Sequence, residues 1–208
     1  SEHTNHTIRK IVIATGVVST FAGSAGSSGS TDATGTAARF SYPYGITTDG
    51  TDLYLADTGN HKIRKIVIAT GAVTTLAGTG SACTSNCDNA TGTSAGFNDP
   101  RGITTDGSNL YVAEYGMHRI RKIVIDNGTV TTIAGTGNAC TSNCDNATGT
   151  SAGFNGPIGI TTDGTNLYVS EHTNHTIRKI VIATGVVSTF AGSAGSSGST
   201  DATGTAAR

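Results

Sequence analysis

Residues 1–39 and residues 170–208 are the same 39 letters, SEHTNHTIRKIVIATGVVSTFAGSAGSSGSTDATGTAAR, standing 169 positions apart without one substitution. The true period is shorter than that offset. The string F-x-x-P-x-G-I-T-T-D-G begins at Phe40, Phe97 and Phe154, which divides the chain into units 40–96 and 97–153 of 57 residues each and a unit 154–208 of 55. Residues 1–39 match the tail of the 55-residue unit and form a partial unit. A fixed period of this length demands a repeat architecture, in which one supersecondary unit recurs and buries its apolar faces against its neighbours. A stretch that opens inside a unit is expected to belong to something longer, so the lack of a targeting segment says little.

One unit shows what recurs. After Pro43, Ile46-Thr47-Thr48 forms a short strand that ends at Asp49-Gly50, a dipeptide suited to a tight hairpin. Leu53 to Ala56 alternates bulky and small side chains as a second strand, and Asp57-Thr58-Gly59-Asn60 turns the chain again. His61 to Ile68, rich in β-branched residues, is the third strand, with Ile63 and Ile66 as core candidates. Ala69-Thr70-Gly71 turns it into the fourth, Val73 to Leu76, and a Gly/Thr/Ser-rich connection runs from Gly78 to Gly96. In the partial unit only the last two strands are present, Ile8–Ile13 and Val17–Ala22.

Four antiparallel strands per unit, with tight turns, is the sequence form of a β-propeller blade. Its competitor, the β-helix, has much shorter coils, and the Asp-Gly turns favour antiparallel pairing. The fold class is therefore all-β: three full blades of four strands, 40–96, 97–153 and 154–208, and a partial blade, 1–39. Composition agrees, with 29 glycines, no Trp and charged residues at 13%. A net charge of −1 offers no field for nucleic acid or an anionic membrane, and no apolar run approaches the ~20 residues of a membrane helix. The basic pairs of the I-R-K-I element, Arg9-Lys10, Arg64-Lys65, Arg121-Lys122 and Arg178-Lys179, are expected at solvent-facing and edge-facing strand positions.

The string P-x-G-I-T-T-D-G-x-x-L-Y-V-A-D-x-x-N-H-x-I-R-K-I resembles the NHL repeat, named for Asn-His-Leu. The match is clearest at Pro43–Ile66, through Asp57, Asn60, His61, Ile63 and Arg64, and at Pro157–Ile180, through Glu171, Asn174, His175, Ile177 and Arg178. The middle unit keeps Glu114, His118 and Arg121 but carries Tyr115 and has Met117 where Asn is expected. The resemblance implies a propeller, usually of six blades, so these blades are part of such a ring or of a longer array. Two super-units of 169 residues would supply six blades, and the half-blade leaves an open edge for strands from another copy.

Candidates for chemistry are few. Cys83 with Cys87 and Cys140 with Cys144 form two C-x3-C loops, expected as local disulfides, since a zinc site would have to join pairs on successive blades. Such bridges place the chain outside the cytosol, in the extracellular space or at the cell surface. The six histidines lie in or beside the turn between second and third strands. His3 with His6 and His172 with His175 have an H-x-x-H spacing, while His61, His118 and His175 are expected to hydrogen-bond across the turn or to the next blade. Asp49, Asp106 and Asp163 recur before Gly, where turn formation explains them. Asn5, Asn89, Asn127, Asn146 and Asn174 open N-x-T sequons.

An active site needs unlike groups converging on one point, whereas each carboxylate and histidine here is copied from blade to blade. The expectation is a non-enzymatic structural or interaction protein, without cofactor or metal. It self-associates through strand edges into a ring, scaffold or fibre, or binds protein or glycan partners. The alternative is a calcium-dependent hydrolase or lyase on the propeller axis.

Overall fold

The computed structural model describes residues 1–85, 89–141 and 147–208. Among these, fourteen strands form four antiparallel sheets in chain order. The first sheet is half a blade, β1 (Thr7–Ile11) and β2 (Val18–Gly23). Blade 1 is β3 (Pro43–Thr48), β4 (Asp52–Asp57), β5 (Lys62–Val67) and β6 (Val73–Ala77). Blade 2 is β7 (Pro100–Thr105), β8 (Asn109–Glu114), β9 (Arg119–Val124) and β10 (Val130–Ala134). Blade 3 is β11 (Pro157–Thr162), β12 (Asn166–Glu171), β13 (Thr176–Val181) and β14 (Val187–Gly192). No helix among the described residues is long and apolar enough to cross a membrane.

The first hairpin of each full blade is closed by an aspartate. The Asp49 carboxylate accepts the amides of Thr51 and Asp52 at 2.9 and 2.8 Å and the Tyr54 hydroxyl at 2.8 Å. Asp106 and Asp163 do the same for the equivalent amides and for Tyr111 and Tyr168. These bonds hold the three carboxyls below the usual carboxylate range.

The period-two alternation of each strand serves two neighbours at once. In blade 1, Leu55, Ile66 and Val73 pack back onto Ile8, Ala22, Ala38 and Phe40. Tyr54, Ala56, Ile63 and Ala77 pack forward onto Phe97, Ile103, Leu110, Val112, Ile123 and Val130 of blade 2. Tyr111, Ala113, Ile120 and Ala134 face blade 3 in the same way. The innermost strands β3, β7 and β11 lie against one another in succession, backbone on backbone. A Cβ on Gly102 would stand 2.2 Å from the Ile158 carbonyl oxygen, so only glycine permits that approach.

The connection between blades does more than bridge a gap. In the first one, Gly35 donates to the Gly71 carbonyl at 2.9 Å and Val73 donates to that of Ala33 at 2.9 Å, so residues 33–35 extend the outer edge of blade 1. The bridges Thr34 to Ala72, Thr91 to Thr129 and Thr148 to Val186 repeat this arrangement on all three blades. Each blade is thus clipped along its outer strand by the connection that leads into it. Outer edges that would otherwise present unpaired backbone groups are covered.

Candidate functional site at the blade joints

The polar residues that recur from unit to unit converge at the joints. Asp57, at the end of β4, accepts the Ser41 amide at 2.7 Å, the Asn60 side-chain amide at 2.8 Å and Arg64 Nη1 at 2.7 Å. Arg64 also donates to the carbonyls of Arg39 and Thr31, at 3.0 and 3.1 Å, and to Asp32 at 2.6 Å, with its guanidinium 5.2 Å from the Phe40 ring centroid. One buried cation therefore ties the incoming connection to its blade. Burial raises the Asp57 carboxyl above its ordinary range, against the pull of Asn60, the Ser41 amide and Arg64.

Blades 2 and 3 repeat the lock with glutamate. Glu114 accepts the Asn98 amide at 2.8 Å and Arg121 at 3.1 Å, and Glu171 accepts the Asn155 amide at 2.7 Å and Arg178 at 3.2 Å. Asn174 and Thr176 complete the shell of Glu171 at 3.2 and 2.6 Å. In blade 2 Met117 supplies no donor, and Arg119 stands beside Glu114 instead, at 3.3 Å. The exposure expected for Arg64, Arg121 and Arg178 is therefore corrected: their side chains are 0–1% exposed. The physical reason lies seven residues upstream, where the preceding strand ends in a carboxylate placed diagonally across the hairpin from each arginine. In the three full blades the lysine of each pair, Lys65, Lys122 and Lys179, is the half-exposed member, and Lys65 pairs with Asp52 at 2.7 Å.

The turn histidines bind across the joints. His6, His61 and His118 adopt left-handed backbone conformations. Their Nδ1 atoms accept the amides of Tyr42, Asp99 and Gly156, each the residue before Pro in the following blade, at 3.1, 3.1 and 3.0 Å. Burial lowers the pKa of His118, which keeps Nδ1 an acceptor. His175, on the last described blade, stands exposed. His3 packs on Tyr42, ring centroids 4.9 Å apart. Among the described residues no group of three or more His, Cys, Asp or Glu side chains is placed to hold a metal. Cys87 and Cys144 lie outside the described residues, and with them the pairing expected for Cys83 and Cys140.

The duplicated 39 residues occupy two different environments. Among the described residues the half-blade has no inner strands, and Ile11 and Val18 are 61% and 48% exposed, whereas their counterparts Ile180 and Val187 are fully buried. Among the described residues nothing follows blade 3, and Ile177 is 36% exposed where Ile8 is 2%. Glycine tells the same story, since a Cβ on Gly45 or Gly102 meets the next blade's backbone and one on Gly159 meets only the Ser170 side chain. Beside the half-blade, blade 1 exposes Tyr42, Tyr44 and Ile46. Beside them a cavity of about 300 Å³ is lined by Ile8, Lys10, Phe21, Ile46, Leu53 and Ile68.

No protein-family profile matches the chain. Over 106 residues, 49% of its length, it is 41% identical to NHL repeat-containing protein 2 of Bos taurus. The chain carries NHL repeats. It spans 14% of that relative's length. Among solved structures, a protein of unknown function from Bacteroides thetaiotaomicron aligns with 97% of the NHL chain and 45% of its own, at a TM-score of 0.66 and 22% identity. Virginiamycin B lyase from Staphylococcus aureus aligns with 91% and 50%, at 0.56 and 18%. Those two likenesses establish the β-propeller fold and nothing about chemistry.

The joint residues that sequence reasoning missed are Asp32, the 33–35 clip and the phenylalanines beneath the arginines. A signal for the lock was present, an acid seven residues before Arg in every unit: Glu2–Arg9, Asp57–Arg64, Glu114–Arg121 and Glu171–Arg178.

Proposed function

We propose that this NHL array is a non-catalytic interaction scaffold that acts outside the cytosol and joins copies of itself into a closed ring or a fibre. The observation that carries the reading is the repetition itself, since near-identical blade faces pack against one another in three successive joints and a face of one copy matches the partner face of another. The recurrent acids, arginines and histidines support it too, because in each blade they close the lock or the joint instead of lining one shared pocket. The loop cysteines support an oxidising compartment.

Electron microscopy beside native mass measurement tests the reading. Closed discs or fibres are expected, and a monodisperse single copy at all concentrations would refute it. The calcium-dependent hydrolase or lyase alternative is tested by calorimetric titration of calcium into the same preparation, where a stoichiometric site would overturn the non-catalytic reading.

A further inference from the structure

We infer that Asn127, at the tip of the outermost hairpin of blade 2, carries an N-linked glycan, while the sequons at Asn5, Asn89 and Asn174 are engaged in holding the fold. This deepens the scaffold reading and rests on its placement of the chain outside the cytosol, because N-linked sugars mark secreted proteins. The substrate class is a lipid diphosphate-linked oligosaccharide.

Five N-x-T strings look alike as sequence, and the structure separates them. Asn146 lies outside the described residues. Asn174 is buried, its side-chain amide donates to Glu171, and the hydroxyl of its sequon threonine, Thr176, donates to the same carboxylate. Asn5 opens an identical string, and its buried Thr7 donates to Glu2 in the same way. Both N-H-T strings thus belong to the lock. Asn89 belongs to the clip, where its carboxamide oxygen accepts the Thr132 amide at 3.3 Å as Asp32 accepts that of Thr75.

Asn127 has no such duty. Between β9 and β10 the chain turns through Asp126-Asn127-Gly128, with Asn127 exposed and Gly128 in the left-handed region. The Asn127 carboxamide oxygen accepts the Thr129 amide at 2.9 Å, which forms an Asx turn. Among the described residues, the Asn127 amide nitrogen and the Thr129 hydroxyl, the two groups a sequon offers, have no hydrogen-bond partner. Nor does the turn require asparagine. Blades 1 and 3 make it with Ala69-Thr70-Gly71 and Ala183-Thr184-Gly185, where the threonine hydroxyls accept the amides of Ala72 and Val186 at 3.2 and 3.4 Å. In all three blades the turn glycine donates to the last residue of the third strand at 2.8 Å. Blade 2 therefore departs from the repeat at both positions that define a sequon and keeps the turn. Neither the lock around Glu114 nor the His118 contact lies in this hairpin, so a sugar here leaves the joints free.

In the transfer, the Asn127 amide nitrogen attacks the anomeric carbon of the donor. A carbon–nitrogen bond replaces the carbon–oxygen bond to the lipid diphosphate, which leaves with the electron pair, and the nitrogen yields one proton to a base of the transferase.

Glycopeptide mass spectrometry of the chain from its native source, before and after peptide N-glycosidase, tests this. A glycan at Asn127 and none at Asn5, Asn89 or Asn174 is expected. Thr129→Ala installs the blade 1 residue and is expected to abolish the glycosidase-sensitive mass shift, with the thermal midpoint of the deglycosylated parent retained. A bare Asn127, equal occupancy at Asn127 and Asn174, or a mass shift that survives Thr129→Ala would overturn it. The same digest reads the oxidation of Cys83 and Cys140, which separates the two readings. A bare Asn127 beside oxidised cysteines removes the glycan alone, whereas a bare Asn127 beside free thiols also counts against an oxidising compartment.

Discussion

The duplicated stretch permits a measurement few proteins offer, the same substitution in the same local sequence with and without two neighbouring strands. Ile180 is fully buried in a cluster with Leu167, Val169 and Val187, and its twin Ile11 is 61% exposed on the half-blade. Replacing Ile by Ala removes three carbon groups, about 2.4 kcal/mol of transfer free energy when fully buried, and the cavity adds about 1 kcal/mol. Ile180→Ala is therefore expected to cost about 3–4 kcal/mol. For Ile11, roughly four-tenths of the transfer term applies and solvent fills the space, so about 1 kcal/mol or less is expected.

At about 2–4 °C per kcal/mol for a chain of this size, the thermal midpoints fall by roughly 6–16 °C and by no more than about 4 °C. The assay is thermal unfolding by far-ultraviolet circular dichroism in dilute solution, with tyrosine fluorescence as the second probe because the chain has no Trp. Equal losses at both sites would refute the reasoning, because Ile11 would then be buried against inner strands that the monomer does not supply.

Other outcomes follow from the joints. Arg64→Met leaves Asp57 buried without its cation and is expected to destabilise by about 3–5 kcal/mol, whereas Arg64→Met with Asp57→Asn recovers much of the loss, both read by urea unfolding. Gly102→Ala drives a Cβ into the Ile158 carbonyl and is expected to disrupt the chain, while Gly159→Ala, facing a movable Ser170 hydroxyl, leaves the thermal midpoint within about 2 °C. Stability is expected to fall as pH drops below about 4, because Asp49, Asp106 and Asp163 have pKa values lowered by folding and the native chain binds fewer protons there than the unfolded one. Asp57 opposes this, its raised pKa making the native state the better proton acceptor, so Asp57→Asn is expected to steepen the acid loss in a pH series of melting temperatures.

Strands were legible because they follow side-chain alternation. Leu53–Ala56 became Asp52–Asp57 and Val73–Leu76 became Val73–Ala77, with differences only at the ends. The first strand runs back to Pro43, three residues beyond its apolar core, because the inner strand is held by contact with the next blade and not by its own periodicity. The clip was illegible for another reason. Ala33-Thr34-Gly35 bonds through its backbone, which leaves no apolar pattern, and only the recurrence of Ala-Thr-Gly-Thr at a fixed place marks it. The arginines were misplaced because I-R-K-I read alone resembles a half-exposed strand. Burial of a guanidinium depends on a carboxylate across the hairpin, a relation between elements that no single strand displays.

Near-identical joints raise a question of order, since a face that fits blade 1 also resembles one that fits blade 2. The breaks in the repeat answer it. Arg101 lies 3.5 Å from the Tyr115 ring centroid, pairs with Asp99 at 2.8 Å and sits 5.9 Å from the Tyr44 ring of the blade before it. Arg101, Tyr115 and Asp99 occur only in blade 2, and Tyr44 only in blade 1, where blade 3 has Ile158. A blade 3 face misjoined to blade 2 would set Ile158 against Arg101 and lose the cation–π contact with Tyr44. The same face brought to blade 1 meets Tyr44 and no unmatched charge. Residues that look like erosion of the repeat therefore distinguish the joint between blades 1 and 2 from the joint between blades 2 and 3.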